Sequence, residues 1–240
     1  MDRVVEVTDL HKRYGQVTAV AGVSLSVSRG EVFGVVGPNG AGKTTTVECI
    51  AGLRRPDAGR VRVLGLDPVA TPAAVRTRVG VQLQQAALPD RLRVGEAMRI
   101  FASAYDRLDQ ADGLLDDWGL TAKRKAAFAT LSGGQRQRLF IALALLGDPE
   151  IVVLDELTTG LDPAGRRETW ALVRRLRDAG TTVVLVTHAM DEAETLCDRL
   201  AVIVAGRVAA LGTPREVAAG HDSLEAAYLS FIDELSEVTY

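Results

Sequence analysis

The residues Gly37-Pro38-Asn39-Gly40-Ala41-Gly42-Lys43-Thr44 follow the spacing G-x-x-x-x-G-K-[ST], with Thr45 directly after. That pattern suits the cradling of a chain of phosphates. Its glycines let backbone N–H groups curl around an anion. A helix starting at Lys43 adds the positive end of its dipole. Lys43 would reach the terminal phosphates, and Thr44 would offer its hydroxyl to Mg²⁺. The pattern sits where that chemistry needs it, between a buried strand and a helix. A second candidate is Ile151-Val152-Val153-Leu154-Asp155-Glu156, an apolar run ending in two acids. An acid at the C-terminal end of a buried strand lies in the crevice where α/β proteins bind ligands. Asp155 would hold the metal, directly or through water, and Glu156 would polarise an attacking water. Taken alone, this run is also a common way for a strand to end.

The third candidate is Leu131-Ser132-Gly133-Gly134-Gln135. Ser132 is a good helix N-cap, and the glycines leave the next helix's N–H groups open to a phosphate. On this segment together with the two above, the chain resembles the ATPases of ABC transporters, over nearly its whole length. The resemblance implies that Ser132, Gly134 and Gln135 face the ATP held by a second ATPase subunit, in a head-to-tail dimer with two shared sites, most simply a homodimer. It implies ATP and Mg²⁺ as cofactors, with Glu156, His188 and Lys43 as the catalytic set. Tyr14, in Leu10-His11-Lys12-Arg13-Tyr14-Gly15, is similar to the aromatic that stacks on adenine, although a tyrosine after a strand also serves plain packing. Gln84, four residues after Gly80, is similar to the glutamine that touches Mg²⁺ and senses the transporter, with Gln82 and Gln85 as neighbouring registers. Gly160-Leu161-Asp162 resembles the loop that contacts the partner subunit, and Thr187-His188 the switch histidine at a strand end. The family usually carries Pro after the glutamate, where this chain has Leu157; since Pro fixes φ and Leu does not, the following loop is expected to differ in rigidity.

These residues need a scaffold, and the patterning supplies one. Val4 to Thr8 and Val23 to Val27 alternate like half-buried strands. Val32 to Val36, Ile151 to Leu154, Thr182 to Thr187 and Leu200 to Val204 are continuous apolar runs, suited to a parallel sheet covered on both faces. Helical patterns over Lys43 to Ala51, Gly165 to Asp178 and Met190 to Cys197 separate them. Strand–helix alternation means an α/β fold. The expectation is one ABC-type P-loop domain over 1–240: a mostly parallel core sheet flanked by helices, with an N-terminal antiparallel β part. Residues 86–147 read as an inserted helical subdomain, with helices over Val94 to Tyr105, Gln110 to Trp118 and Gln135 to Leu146. Thr213-Pro214 opens a short helix, and 223–240 holds a tail helix.

Composition bounds the rest. The chain has 240 residues, 47% hydrophobic and 25% charged, enough to bury a core without staples. Its net charge of −3 argues against a general nucleic-acid partner. Cys49 and Cys197 read as buried free thiols of a reducing compartment. The N-terminus lacks the basic start of a signal peptide. The longest apolar run, about Leu139 to Gly147, falls short of the roughly 20 residues a bilayer span needs. The expectation is therefore a soluble, cytoplasmic chain, peripheral on the inner face of the cell membrane through an integral-membrane permease. The alternative is a soluble ABC-type ATPase with no membrane partner. The segments Gln82 to Pro89 and Asp155 to Pro163 resemble the drug-resistance export subfamily.

Overall fold

The computed structural model describes residues 2–83, 87–105 and 107–237. Gln84, the expected metal-touching glutamine, lies outside them. Two sheets form the frame. The smaller is antiparallel, in the order β2 (Val17–Ser28), β1 (Arg3–Tyr14), β4 (Ala58–Val63). The larger runs β5 (Val79–Gln82), β6 (Ile151–Asp155), β7 (Thr182–Thr187), β3 (Val32–Val36), β8 (Arg199–Val204), β9 (Arg207–Gly212). Only β9 is antiparallel to its neighbour. Every residue of β3, β6 and β7 is buried, as unbroken Val/Leu/Ile runs require of strands covered on both faces.

Strand order places the chemistry. In the parallel ladders Val36 pairs with Thr187, and Asp155 with Val186. The C-terminal ends of β3, β6 and β7 therefore lie side by side at one edge of the sheet. The segment after β3 enters α1 (Lys43–Ile50). After β6 the chain turns into α6 (Pro163–Asp178), and after β7 into α7 (Met190–Leu196). Between β5 and β6 come α3 (Val94–Ser103), α4 (Gln110–Asp117) and α5 (Gly133–Leu145). The remaining helices are α2 (Pro72–Arg76), α8 (Pro214–Val217) and α9 (Leu224–Glu237). One apolar cluster fills the space between the two sheets and α1; a second lies under α3 to α7 and α9.

Four differences from the sequence reading have physical causes. β1 runs on to Tyr14 rather than stopping at Thr8, because Asp9 takes φ 48° and the register shifts there; the bulge interrupts the two-residue period on which the alternation rests. β4 escapes pattern reading because it is a sheet-edge strand with only Val61 and Val63 buried. β9 is a part-exposed edge strand. β5 is four residues long, and its Gly80 lets α5 approach: a Cβ there would lie 2.1 Å from the Ala144 carbonyl oxygen. Cys49 and Cys197 are buried and unpaired, as expected.

Candidate active site

At the sheet edge the loop after β3 is shaped by contact as well as by its glycines. Gly42 has φ 97°, and a Cβ there would meet the Ala19 carbonyl oxygen at 2.1 Å. Gly40, at φ 79°, faces open space. Gly42 is also the N-cap of α1 and offers no side chain, so an anion can take the helix's free N–H groups. A cleft of about 390 Å³ opens here, lined by Asn39, Gly40, Gly42 to Thr45 and Glu156. Lys43 is buried, and its Nζ donates to the carbonyl oxygens of Gly37 (2.8 Å) and Pro38 (2.9 Å). Burial lowers its pKa, opposed by the nearby carboxylates of Glu156 and Asp155. Those two carbonyls fold the ammonium back into the loop, beside the space a terminal phosphate would fill.

The ends of β6 and β7 face this loop. Thr44 Oγ1 donates to Asp155 Oδ2 at 3.2 Å. Asp155 is 1% exposed, and its buried Oδ1 has no hydrogen-bond partner. Burial pushes its carboxyl up to about 6, against the lowering effect of the Thr44 bond. An orphaned carboxylate oxygen beside a hydroxyl is a half-built cation site. Among the described residues no group of three or more His, Cys, Asp and Glu side chains converges. The Thr44 hydroxyl and the unpartnered Asp155 oxygen suit a hard cation such as Mg²⁺, which takes one or two protein oxygens and draws the rest from water and phosphate.

Glu156 sits at φ 52° and donates its N–H to the Val186 carbonyl at 2.9 Å. A non-glycine residue in the left-handed region carries strain of order 1 kcal/mol or more, held only when the surroundings over-determine it. The turn directs its side chain to the cleft. Its Oε1 lies 3.3 Å from His188 Nδ1, and its Oε2 accepts from Thr159 Oγ1 at 3.3 Å. Thr159 was not among the candidates; its place three residues after Glu156, in a tight turn, is the signal that could have found it. His188 follows β7 and is 47% exposed.

Tyr14 ends β1, is 40% exposed, and belongs to neither apolar cluster. Arg54 and Lys12 flank it, 5.3 and 5.8 Å from the ring centroid. Core packing is thereby set aside. Gln82 is buried at the end of β5, its Nε2 bonded to the Leu83 carbonyl.

The remaining candidates lie apart from this cleft, none of them on its lining. Ser132 N-caps α5 in a reciprocal box: its Oγ accepts from Gln135 N at 3.3 Å, and Gln135 Oε1 accepts from Ser132 N at 3.1 Å. A Cβ on Gly134 would touch only Leu161, at 3.8 Å. Asp162 N-caps α6 through Gly165 N at 2.7 Å. Leu157, in the place of the usual Pro, is fully buried in the cluster under α3 to α7 and α9, so packing holds the turn where a ring would otherwise restrict φ. A separate apolar groove of about 320 Å³ is lined by Leu53, Val81, Ala87, Leu88, Phe101 and Tyr105, among others.

Residues 20–159 match the ABC transporter family. The chain is 45% identical over 223 residues to the daunorubicin resistance ATP-binding protein DrrA3 of Streptomyces coeruleorubidus, covering 91% of this chain and 71% of that one. It is 44% identical over 220 residues to the Nod factor export ATP-binding protein I of Ralstonia nicotianae, covering 89% and 68%. A solved ATP-binding subunit of an ABC transporter superposes with a TM-score of 0.84 at 28% identity, over 95% of this chain and 99% of that one. An ATP-binding cassette solved as a dimer, in a post-hydrolysis state with ADP and Pi, gives 0.76 at 27% identity, over 87% and 98%. With its phosphate loop, acidic strand end and switch-placed histidine gathered on one sheet edge, this chain belongs to the ABC transporter family, as an ATP-binding and ATP-hydrolysing subunit.

Proposed function

We propose that two copies of this chain close head-to-tail around two ATP molecules, and that their closing and reopening drive export through a separate membrane permease. The observation that carries the reading is the gathering of Lys43, Thr44 and Glu156 on one cleft, with Asp155 bonded to Thr44 and His188 beside Glu156, while Ser132, Gly134 and Gln135 lie off its lining. The loop from Gly37 to Thr45 wraps the phosphates with the backbone N–H groups of Asn39, Gly40, Ala41, Gly42 and the residues after them, while Pro38, which has no N–H, shapes the turn. Lys43 exchanges its two loop carbonyls for phosphate oxygens, a charge-assisted contact. Thr44, Asp155 and Gln84 would hold Mg²⁺, which would supply neutralisation of the phosphate charge. Glu156 orients the attacking water and receives its proton at Oε1 or Oε2; His188, beside Glu156, orients the γ-phosphate. Tyr14 stacks on the base. Asp162 and the capped end of α5 complete the site across the dimer. Catalysis here is positioning plus charge stabilisation.

The export direction rests on the drug-resistance and Nod factor export relatives. The permease docks, in this reading, on the apolar groove at Ala87 and Leu88, presented by an inserted subdomain spanning 86–147. Among the described residues no helix is long and apolar enough to cross a membrane; in this reading the chain reaches the membrane through the permease. A soluble ATPase without a permease would leave that groove without a purpose. The test is sedimentation of Glu156→Gln with Mg-ATP, which is expected to bind nucleotide, turn over poorly and accumulate as a dimer. A clean monomer at concentrations where wild type hydrolyses ATP would count against the shared site.

A further inference from the structure

His188 is half exposed, and its ring lies 3.3 Å from Glu156. The backbone on either side sets where that ring can reach. Upstream, Thr187 is buried and its Oγ1 accepts from Ala189 N at 3.0 Å. Downstream, α7 begins at Met190, and its first turn carries Asp191 and Glu192. Both of these acids are gripped by α6. Arg166 Nη2 lies 2.6 Å from Asp191 Oδ2, and Trp170 Nε1 donates to Glu192 Oε1 at 3.0 Å. Arg166 and Trp170 are one turn apart on the same helical face, and the guanidinium stacks on the indole at 5.1 Å.

The other end of the grip is the cap of α6. The Arg166 N–H donates to the Asp162 carbonyl at 2.9 Å, so Arg166 stands one turn above the residue expected to face the second subunit. Between the loop at Thr158 to Leu161 and the loop at His188 to Ala189 lies a cleft of about 280 Å³, with Arg166 and Asp191 among its walls. Across this cleft the two loops are joined through their helices. Glu192 is 1% exposed. Burying a carboxylate is expensive, and an apolar side chain of that size would pack at no such penalty. A hydrogen bond there specifies one orientation of α7 on α6, which packing alone does not.

We propose that Arg166, Trp170 and Glu192 are positioning residues for ATP hydrolysis: they clasp α6 to α7, so that displacement of the Asp162 loop by a second subunit is transmitted to His188. The proposal rests on the roles given above to His188 and Asp162. It concerns turnover rather than nucleotide affinity, because none of the three residues lines the phosphate cleft.

The test uses the full chain with Mg-ATP, measuring nucleotide affinity, turnover and tryptophan emission. The chain has two tryptophans, Trp118 and Trp170, so a Trp118→Phe background leaves Trp170 as the sole reporter. Glu192→Gln keeps an oxygen acceptor for the indole and is expected to turn over within about twofold of its parent. Glu192→Leu and Arg166→Met are expected to lower turnover by about 10- to 100-fold, as misplacement of a positioned group does, with affinity unchanged. Trp170 emission should shift on ATP binding in the background protein and not in Glu192→Leu. If Glu192→Leu fails to fold, Asp191→Arg alone against the reversed pair Arg166→Asp with Asp191→Arg decides, restored turnover in the pair supporting the clasp. Folded Glu192→Leu and Arg166→Met proteins at wild-type turnover, beside an inactive His188→Ala, would overturn the clasp alone. Full turnover in His188→Ala would instead overturn the role of His188, and the clasp with it.

Discussion

The phosphate cleft and the Ser132–Gln135 segment are built on opposite principles. In the cleft, Asp155 is buried with one oxygen unpartnered, Glu156 is held at a positive φ, and Lys43 is folded onto loop carbonyls. The unpartnered oxygen and the positive φ are each unfavourable for the chain by themselves, and burial disfavours the Lys43 ammonium despite its two hydrogen bonds. At Ser132–Gln135 nothing is strained: the cap is reciprocal, and a Cβ at Gly134 would find an ordinary contact. Groups held at a cost to stability mark where a ligand completes the structure. In the proposed dimer the first region holds nucleotide, and the satisfied cap meets the nucleotide held by the other chain.

Substitutions should respect that division. The largest effects are expected at the cleft and the histidine beside it: His188→Ala lowers turnover by about 10²- to 10⁴-fold with nucleotide affinity intact, whereas Lys43→Ala weakens affinity as well. Fluorescent-nucleotide titration beside phosphate release separates the two. Asp155→Asn is expected to act with opposite signs on function and stability. Burial raises the Asp155 carboxyl from 3.8 to about 6, so the folded protein holds that proton more tightly than the unfolded chain. Without nucleotide, wild type therefore loses stability as pH rises through that window and stays lower above it. Asp155→Asn escapes the loss, melting higher at pH 7 by the equivalent of up to about 3 kcal/mol, while Mg-dependent turnover disappears. Wild type and variant melting alike across pH 4 to 7 would break the comparison at its strained end. Tyr14→Ala should weaken ATP binding by roughly 1–3 kcal/mol, borrowing the scale of base–aromatic stacking, and Tyr14→Phe should be silent; a lowered melting temperature with unchanged affinity would make the ring structural. The smallest stability effect belongs to Ser132→Ala, about 1 kcal/mol for a lost cap. Its turnover should fall further than that shift explains, as calorimetry and phosphate release would show.

Much of this was legible in the residues. The phosphate loop, the acids ending β6 and His188 after β7 all stand where unbroken apolar strands end, and strands covered on both faces announce themselves by composition. The cap at Ser132 follows from residue type, whereas the return bond from Gln135 came from the structure. What escaped was decided by neighbours. β5 is short and depends on the approach of α5 at Gly80. β4 and β9 are edge strands with few apolar anchors. The contact of Thr159 with Glu156, and the grip of Arg166 and Trp170 on α7, need two helices to be placed before either is visible. The burial of Leu157 likewise appears only once the cluster beneath it is assembled.

The central claim, that each catalytic site is shared between two chains, has a direct test in mixing two inactive variants. Lys43→Ala removes the phosphate-loop half, and Gly134→Asp removes the other half at a position with room for a side chain. Each alone is expected to be inactive. In a mixed head-to-tail dimer one site keeps an intact loop from one chain and an intact Ser132–Gln135 segment from the other. Equal mixing should therefore restore turnover, up to about a quarter of wild type by the symmetry of the pair. Mixtures as inactive as their components, with dimer formation confirmed by sedimentation, would contradict the shared site.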